Sequence, residues 1–259
     1  MRVAVLGDIH GNSIALDRVL EDIHASGGVD EYWVMGDLAA IGPDPVGALE
    51  LAASLPRASF IRGNTDRYLI TGEIPGFDPS ADGENLPGLR FLLHLARSFA
   101  WTAGAVSAAG WLPWFKELPL EMRAQLSDGS RILAVHAAPG MDDGPGIHPG
   151  VSEADLADQL TGTEADLILV GHTHTPFERE IGAVKVVNPG SVSNPFPPDL
   201  RASYVLLSSD RDGYSLAFRR VDYDREAVVA MAEEVNHPAA AYITQLMRGE
   251  RRPPWEGEA

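Results

Sequence analysis

The chain has 259 residues, 45% hydrophobic and 22% charged, the composition of an ordinary globular protein with room for a layered core. Its net charge of −17, from 20 Lys and Arg against 37 Asp and Glu, repels nucleic acid at long range and argues against a dedicated DNA or RNA binder. With no cysteines, disulfides, thiolate nucleophiles and cysteine-held zinc are excluded, and any metal must be held by His, Asp, Glu, Asn or water.

The acidity reads as a solubility feature. It leaves room for a small phosphorylated substrate, because bound divalent cations dominate the field of their own site. No apolar run approaches the roughly 20 residues that span a bilayer. The N-terminal segment lacks the pattern of a signal peptide, so a cytoplasmic protein without a membrane partner is expected.

The first predicted element is a strand, Arg2 to Leu6, apolar enough to be buried on both faces. It stops at Gly7-Asp8-Ile9-His10-Gly11-Asn12, and a helix starts at Ser13 with Asn12 or Ser13 as its cap. Ile14, Leu16, Val19, Leu20 and Ile23 recur at helical spacing until Ser26-Gly27-Gly28. A second strand, Glu31 to Met35, ends in Gly36-Asp37. A helix follows over Val46 to Ser54. A third strand, Ala58 to Ile61, ends in Arg62-Gly63-Asn64-Thr65-Asp66. The opening is thus β-α-β-α-β, and an open α/β sheet places its chemistry at such strand-to-helix turns.

Thr71 to Gly88, rich in Gly, Pro and Asp, reads as an irregular excursion. Leu89 to Phe115 is mostly helical, with Phe91, Leu92, Leu95 and Phe99 along one face and Trp101, Trp111, Trp114 and Phe115 nearby. The stretch at about 71–116 is expected to be a helical insertion leaning over the mouth of the first sheet. Its aromatics are assigned to core packing, with a substrate-facing wall as the alternative.

Leu118 to Leu126 and Arg131 to Val135 pair across Ser127-Asp128-Gly129-Ser130, and the second strand ends at His136. A loop rich in Gly and Asp contains His148, and Glu153 to Leu160 is helical. Asp166 to Val170 is a buried strand ending in Gly171-His172-Thr173-His174. Phe177 to Ile181 and Val184 to Val187 form a hairpin that ends at Asn188-Pro189-Gly190-Ser191, a structural turn. Tyr204 to Leu207 and Tyr214 to Arg220 make another antiparallel pair. Helices follow at Asp224 to Val235 and Ala239 to Arg248. The expectation is one domain over 1–250 and a disordered tail over 251–259.

Seven metal-capable side chains stand at strand ends: Asp8, His10, Asp37, Asn64, His136, His172 and His174. Seven are too many for one ion and suit two, with Asp37, alone at its strand end, as the bridge. Two cations roughly 3.5–4 Å apart hold a hydroxide nucleophile between them and draw in phosphate oxygens. Asp, His and Asn ligands without sulfur suit Mn²⁺, Fe, Co²⁺, Ni²⁺ or Zn²⁺, with Mn²⁺ favoured.

These five motifs, Gly-Asp-x-His, Gly-Asp, Gly-Asn-x-Asp, a His after a strand and Gly-His-x-His, resemble the calcineurin-like metallophosphoesterase superfamily, closest to its small bacterial and archaeal phosphodiesterase branch. The resemblance spans roughly residues 1–220. It implies an α/β (α+β mixed) fold, a four-layer αββα sandwich of two mixed sheets flanked by helices. It also implies that Asp8, His10 and His174 hold one metal, that Asn64, His136 and His172 hold the other, and that Asp37 bridges.

One position departs from the family pattern. Many members carry a proton-donating His where this chain has Thr65, whose hydroxyl is a poor general acid. Asp66, a catalytic candidate by motif, then has no His to orient and is expected to bond backbone or a neighbouring side chain. The implied substrate is an aryl or otherwise activated phosphodiester, unless another group supplies the proton. His148 is the nearest replacement acid by sequence, against a solvated loop role. His94 reads as a packed helix residue, and His24 and His237 as surface residues. Arg62 and Arg67 are assigned to salt bridges or surface ahead of phosphate binding.

The sequence thus predicts a dinuclear metal-dependent phosphodiesterase acting on a phosphorylated small molecule. A phosphomonoesterase or protein phosphatase, or a non-catalytic binding module on the same fold, are the alternatives. The apolar insertion could support a homodimer.

Overall fold

A computed structural model describes residues 1–74 and 86–256, with side chains described outside 86–91. Most of the predicted excursion, the side chain of Phe91 and the last three residues of the tail lie outside the described residues.

The elements in order are β1 (Arg2–Leu6), α1 (Ser13–Ala25), β2 (Glu31–Val34), α2 (Pro45–Ala53), β3 (Ala58–Phe60), α3 (Asn64–Thr71), α4 (Leu86–Ala108), α5 (Leu112–Lys116), β4 (Glu121–Gln125), β5 (Arg131–Val135), α6 (Glu153–Gln159), β6 (Leu167–Leu169), β7 (Phe177–Ile181), β8 (Val184–Asn188), β9 (Ala202–Ser209), β10 (Tyr214–Val221), α7 (Arg225–Glu234) and α8 (Ala240–Met247). The helix starts follow capping chemistry. Asn12 Oδ1 accepts the Ala15 amide at 3.0 Å, and Asp44 Oδ1 accepts the Gly47 amide at 3.0 Å with Pro45 at the first turn.

The strands form two mixed sheets, ordered β10-β9-β1-β2-β3 and β4-β5-β6-β8-β7. In the first, β1, β2 and β3 are parallel and β9 and β10 antiparallel. In the second, β5, β6 and β8 are parallel, edged by antiparallel β4 and β7.

The period-two alternation of each strand sorts its side chains between layers. Val3 and Val5 of β1, Ile132 and Ala134 of β5, and Val205 and Leu207 of β9 meet in the core between the sheets. Ala4 and Leu6 face the other way, into a core with helices α1 and α2. Leu133 and Val135 pack with Leu156 and Leu160 of the α6 region. The result is the expected αββα sandwich, with most helices on the face of the first sheet.

Phe99 and Phe115 are buried in the core beneath the first sheet's helices, and Phe99 meets Tyr68 edge to face with centroids 5.6 Å apart. These two aromatics pack in the core. Asn64–Thr71 form helix α3, so the third strand-end loop is short and its ligand candidate starts a helix. One expectation is corrected. His237, expected at the surface, is buried against Trp101 with centroids 4.5 Å apart, and that burial pushes it down to about 4.

Candidate metal centre

The parallel strands of both sheets end on one side, and their loops bring the seven candidates together across the seam between the sheets. Asp8, His10, Asp37 and His174 offer ligand atoms all within 4.8 Å of one another. The second half is built on Asn64. Its Oδ1 lies 3.1 Å from His136 Nε2 and 3.0 Å from His172 Nδ1. Asp37 joins the halves: Oδ2 is 3.6 Å from His10 Nε2, and Oδ1 is 3.4 Å from His136 Nε2.

Each imidazole is oriented by its outer nitrogen. Nδ1 of His10 is 3.0 Å from the Ala40 carbonyl, Nδ1 of His136 is 2.6 Å from that of Met35, and Nδ1 of His174 is 3.1 Å from that of Asn194. His172 is reversed, with Nε2 placed 2.8 Å from the Gly144 carbonyl. With those nitrogens donating, the inner nitrogens keep their lone pairs, the arrangement that second-shell acceptors impose on metal-binding histidines.

The loops hold backbone conformations that side chains rarely adopt. Asp8, His10, Asp37, His172 and His174 all have φ between 48° and 65°. Left-handed non-glycine residues cost of order 1 kcal/mol each and gather at functional sites. The glycines that precede them carry little of this turning. Of Gly7, Gly36, Gly63 and Gly171, only Gly36 has positive φ. Gly63 is needed for room instead, since a Cβ there would sit 2.1 Å from Asp37 Oδ1.

Electrostatics within the cluster are strongly coupled. Burial opposes a charge on His136, but the Asp37 carboxylate outweighs it and lifts the imidazole to about 10. Burial also opposes the Asp37 charge, and His136, His10 and His172 overcome it, holding that carboxyl far below the usual range. His10 is pushed down to about 4 by burial despite its carboxylate neighbours. Asp8 Oδ2 is buried without a hydrogen-bond partner, and His10 Nε2 faces His174 Nε2 at 3.0 Å. An orphaned carboxylate oxygen and two converging ring nitrogens are what a divalent cation would satisfy, so the donor set fits a metal.

The other candidates fall outside the cluster. Asp66 is fully buried: Oδ2 accepts the amides of Asp37 and Gly63 at 2.9 and 2.8 Å, and Oδ1 accepts that of Leu38 at 2.9 Å. It therefore braces the backbone of the Asp37 loop. The Thr65 amide donates to Asp37 Oδ1 at 3.0 Å, while its hydroxyl is enclosed without a partner. His148 is not brought to the cluster; its ring lies flat on Trp255, and its Nδ1 accepts the Gly150 amide at 3.1 Å. Arg62 and Arg67 both bind Asp142, with Nε–Oδ distances of 2.8 and 3.1 Å.

The salt-bridge assignment of Arg62 and Arg67 holds, but their acidic partners were missed from sequence. Arg67 and the Tyr68 hydroxyl also bind Asp143, whose loop carries the Gly144 carbonyl that orients His172. The signal available was only a Gly- and Asp-rich loop. Asn188 Nδ2 donates to the Gly171 carbonyl at 2.7 Å and to Thr173 Oγ1 at 3.0 Å, bracing the His172 loop from below.

Comparison with known proteins agrees with this architecture. Residues 1–212 match the Calcineurin-like phosphoesterase superfamily domain. The chain is 29% identical over 239 residues to an uncharacterized protein of Methanocaldococcus jannaschii, covering 86% of this chain and 88% of that one. It is 37% identical over 87 residues to the symmetrical bis(5'-nucleosyl)-tetraphosphatase of a Shewanella species, covering 32% of this chain and 31% of that protein. The fold is similar to a metallophosphoesterase of Sphaerobacter thermophilus, with a TM-score of 0.73, 26% identity and coverage of 97% and 99% of the two chains. It is also similar to a hypothetical protein of Pyrococcus horikoshii, with a TM-score of 0.77, 22% identity and coverage of 95% and 97%. No helix among the described residues is long and apolar enough to cross a membrane.

Proposed function

Because the chain belongs to the calcineurin-like phosphoesterase superfamily, we propose that it is a dinuclear metal-dependent phosphodiesterase of the cytoplasm, acting on small phosphodiesters and best supported by Mn²⁺. The observation that carries this reading is the position of Asp37, with one carboxylate oxygen toward His10 and the other toward His136. In this reading Asp8, His10 and His174 hold one cation, Asn64, His136 and His172 hold the other, and Asp37 is shared. When bound, the pair supplies Lewis-acid activation of water and offsets the phosphoryl charge that grows in the transition state.

The protein's own groups keep this centre in place. Ala40, Met35, Asn194 and Gly144 carbonyls hold the four rings, and Asp66 holds the Asp37 backbone. Among the described residues, the two hydroxyls nearest the third motif offer no ready proton. Thr65 is enclosed, and burial together with Asp143 pushes the Tyr68 hydroxyl up to about 12. The leaving group therefore departs with little help, which favours aryl or other activated esters over alkyl monoesters. The name of the partial Shewanella relative directs the first assays toward nucleosyl compounds.

The Mn²⁺-loaded protein should hydrolyse bis(p-nitrophenyl) phosphate with a higher kcat/KM than p-nitrophenyl phosphate. Across substituted aryl diesters, the rate should fall steeply as the phenol pKa rises. A faster monoester would favour the phosphatase alternative, and no hydrolysis of either would leave a binding module.

A further inference from the structure

Beside the metal centre runs a strip of aromatic rings drawn from three distant segments. Phe196, in the loop after β8, lies face to face with His174, with centroids 5.9 Å apart and planes 24° apart. Trp255, in the C-terminal 3-10 turn of Pro254–Glu256, meets Phe196 edge to face at 6.2 Å. His148 lies flat on Trp255 at 4.6 Å, with planes 14° apart. Phe196, Trp255 and His148 are all half-buried, so they are fixed in place yet open to solvent.

We propose that Phe196, Trp255 and His148 form an aryl subsite of the centre, a stacking platform for a planar aromatic group carried by the phosphoester. This rests on the phosphoesterase reading above. Two independent observations converge on it. The strip begins against a candidate metal ligand, so its Phe196 end adjoins the centre and Trp255 and His148 extend it outward. The Thr65 hydroxyl, at the position where the motif would carry an acid, is enclosed and a poor proton donor, which favours a leaving group that is stable as an anion, and a phenolate is both stable and planar. Stacking on aromatic side chains tolerates any flat ring, and loss of one such contact typically weakens binding about 10-fold. The C-terminal segment thereby becomes part of the substrate site.

The test is isothermal titration of the Mn²⁺-loaded full chain with non-hydrolysable phenylphosphonate and methylphosphonate, and with AMP and ribose 5-phosphate. Phenylphosphonate should bind about 10-fold more tightly than methylphosphonate. Trp255→Leu should bring that ratio close to one, and Trp255→Phe should restore most of it, with melting curves confirming that both variants fold. A parallel advantage of AMP over ribose 5-phosphate, lost in the same variant, would assign a nucleobase; an advantage confined to phenylphosphonate would assign a simple aryl ring. Equal binding of the two phosphonates by the native chain, or a preference that survives Trp255→Leu, would overturn the subsite while leaving the phosphoesterase reading intact. If methylphosphonate also fails to bind and no phosphoester is hydrolysed, the phosphoesterase reading itself fails, and the subsite with it.

Discussion

The Nε2 atoms of His10 and His174, 164 residues apart in the chain, face each other at 3.0 Å. Each ring has its other nitrogen against a backbone carbonyl, so two lone pairs converge on one point unless a proton or a cation lies between them. Such a pair is held against its own repulsion by the fold.

A cation at that point should therefore stabilise the folded chain. At a free Mn²⁺ concentration about 100 times the dissociation constant, the gain is about 2.7 kcal/mol. For a chain of this size, that corresponds to a rise in Tm of roughly 5–10 °C. Calorimetry with Mn²⁺ and then with excess chelator measures it, and an unchanged Tm would count against the metal centre.

Asp37→Ala and His172→Ala should each lower kcat/KM by about 1000-fold or more with circular dichroism unchanged, since each removes a proposed metal ligand. Undiminished turnover in either variant would remove that residue from the site. His148→Ala should leave the shape of the pH–rate profile unchanged, because its ring packs on Trp255 outside the cluster.

The metal-free protein should lose stability as pH rises from about 6.5 to about 10. Folded His136 keeps its proton up to about 10, whereas an unfolded histidine releases it near 6.5. Over that window the folded state binds more protons, so alkali favours unfolding. Metal binding displaces the same proton, so Mn²⁺ affinity should rise with pH across the window. Urea titrations with and without Mn²⁺ at pH 6.5, 8 and 9.5 test both signs.

Asp66→Asn should destabilise the chain by about 1–3 kcal/mol, because three amides converge on two carboxylate oxygens and the carboxamide turns a donor toward one of them. Turnover should fall with it, since the Asp37 backbone loses its support. A fully active, fully stable variant would show that the loop holds itself.

The chemistry was legible in the sequence because apolar runs mark strand interiors, and the residue types where those runs stop name the donors. Asp8, His10, Asp37, Asn64, His136, His172 and His174 could be gathered that way, since alternation and turn residues are local signals, whereas the two-sheet sandwich came only from the family resemblance of the motifs they form. The turn conformations were not legible. Left-handed φ at Asp8, His10, Asp37, His172 and His174 is imposed by contacts between loops, and no local propensity announces a histidine in that region. Nor could the sequence say that Asp66 would be consumed by three backbone amides, that Arg62 and Arg67 would spend their charge on Asp142, or that Trp255 would return to His148. Those outcomes depend on which distant segments become neighbours. The order of residues determined which donors the chain owns; packing of the two sheets decided where each donor points and which are already engaged, because direction and partnership are properties of the assembled loops and not of any one of them.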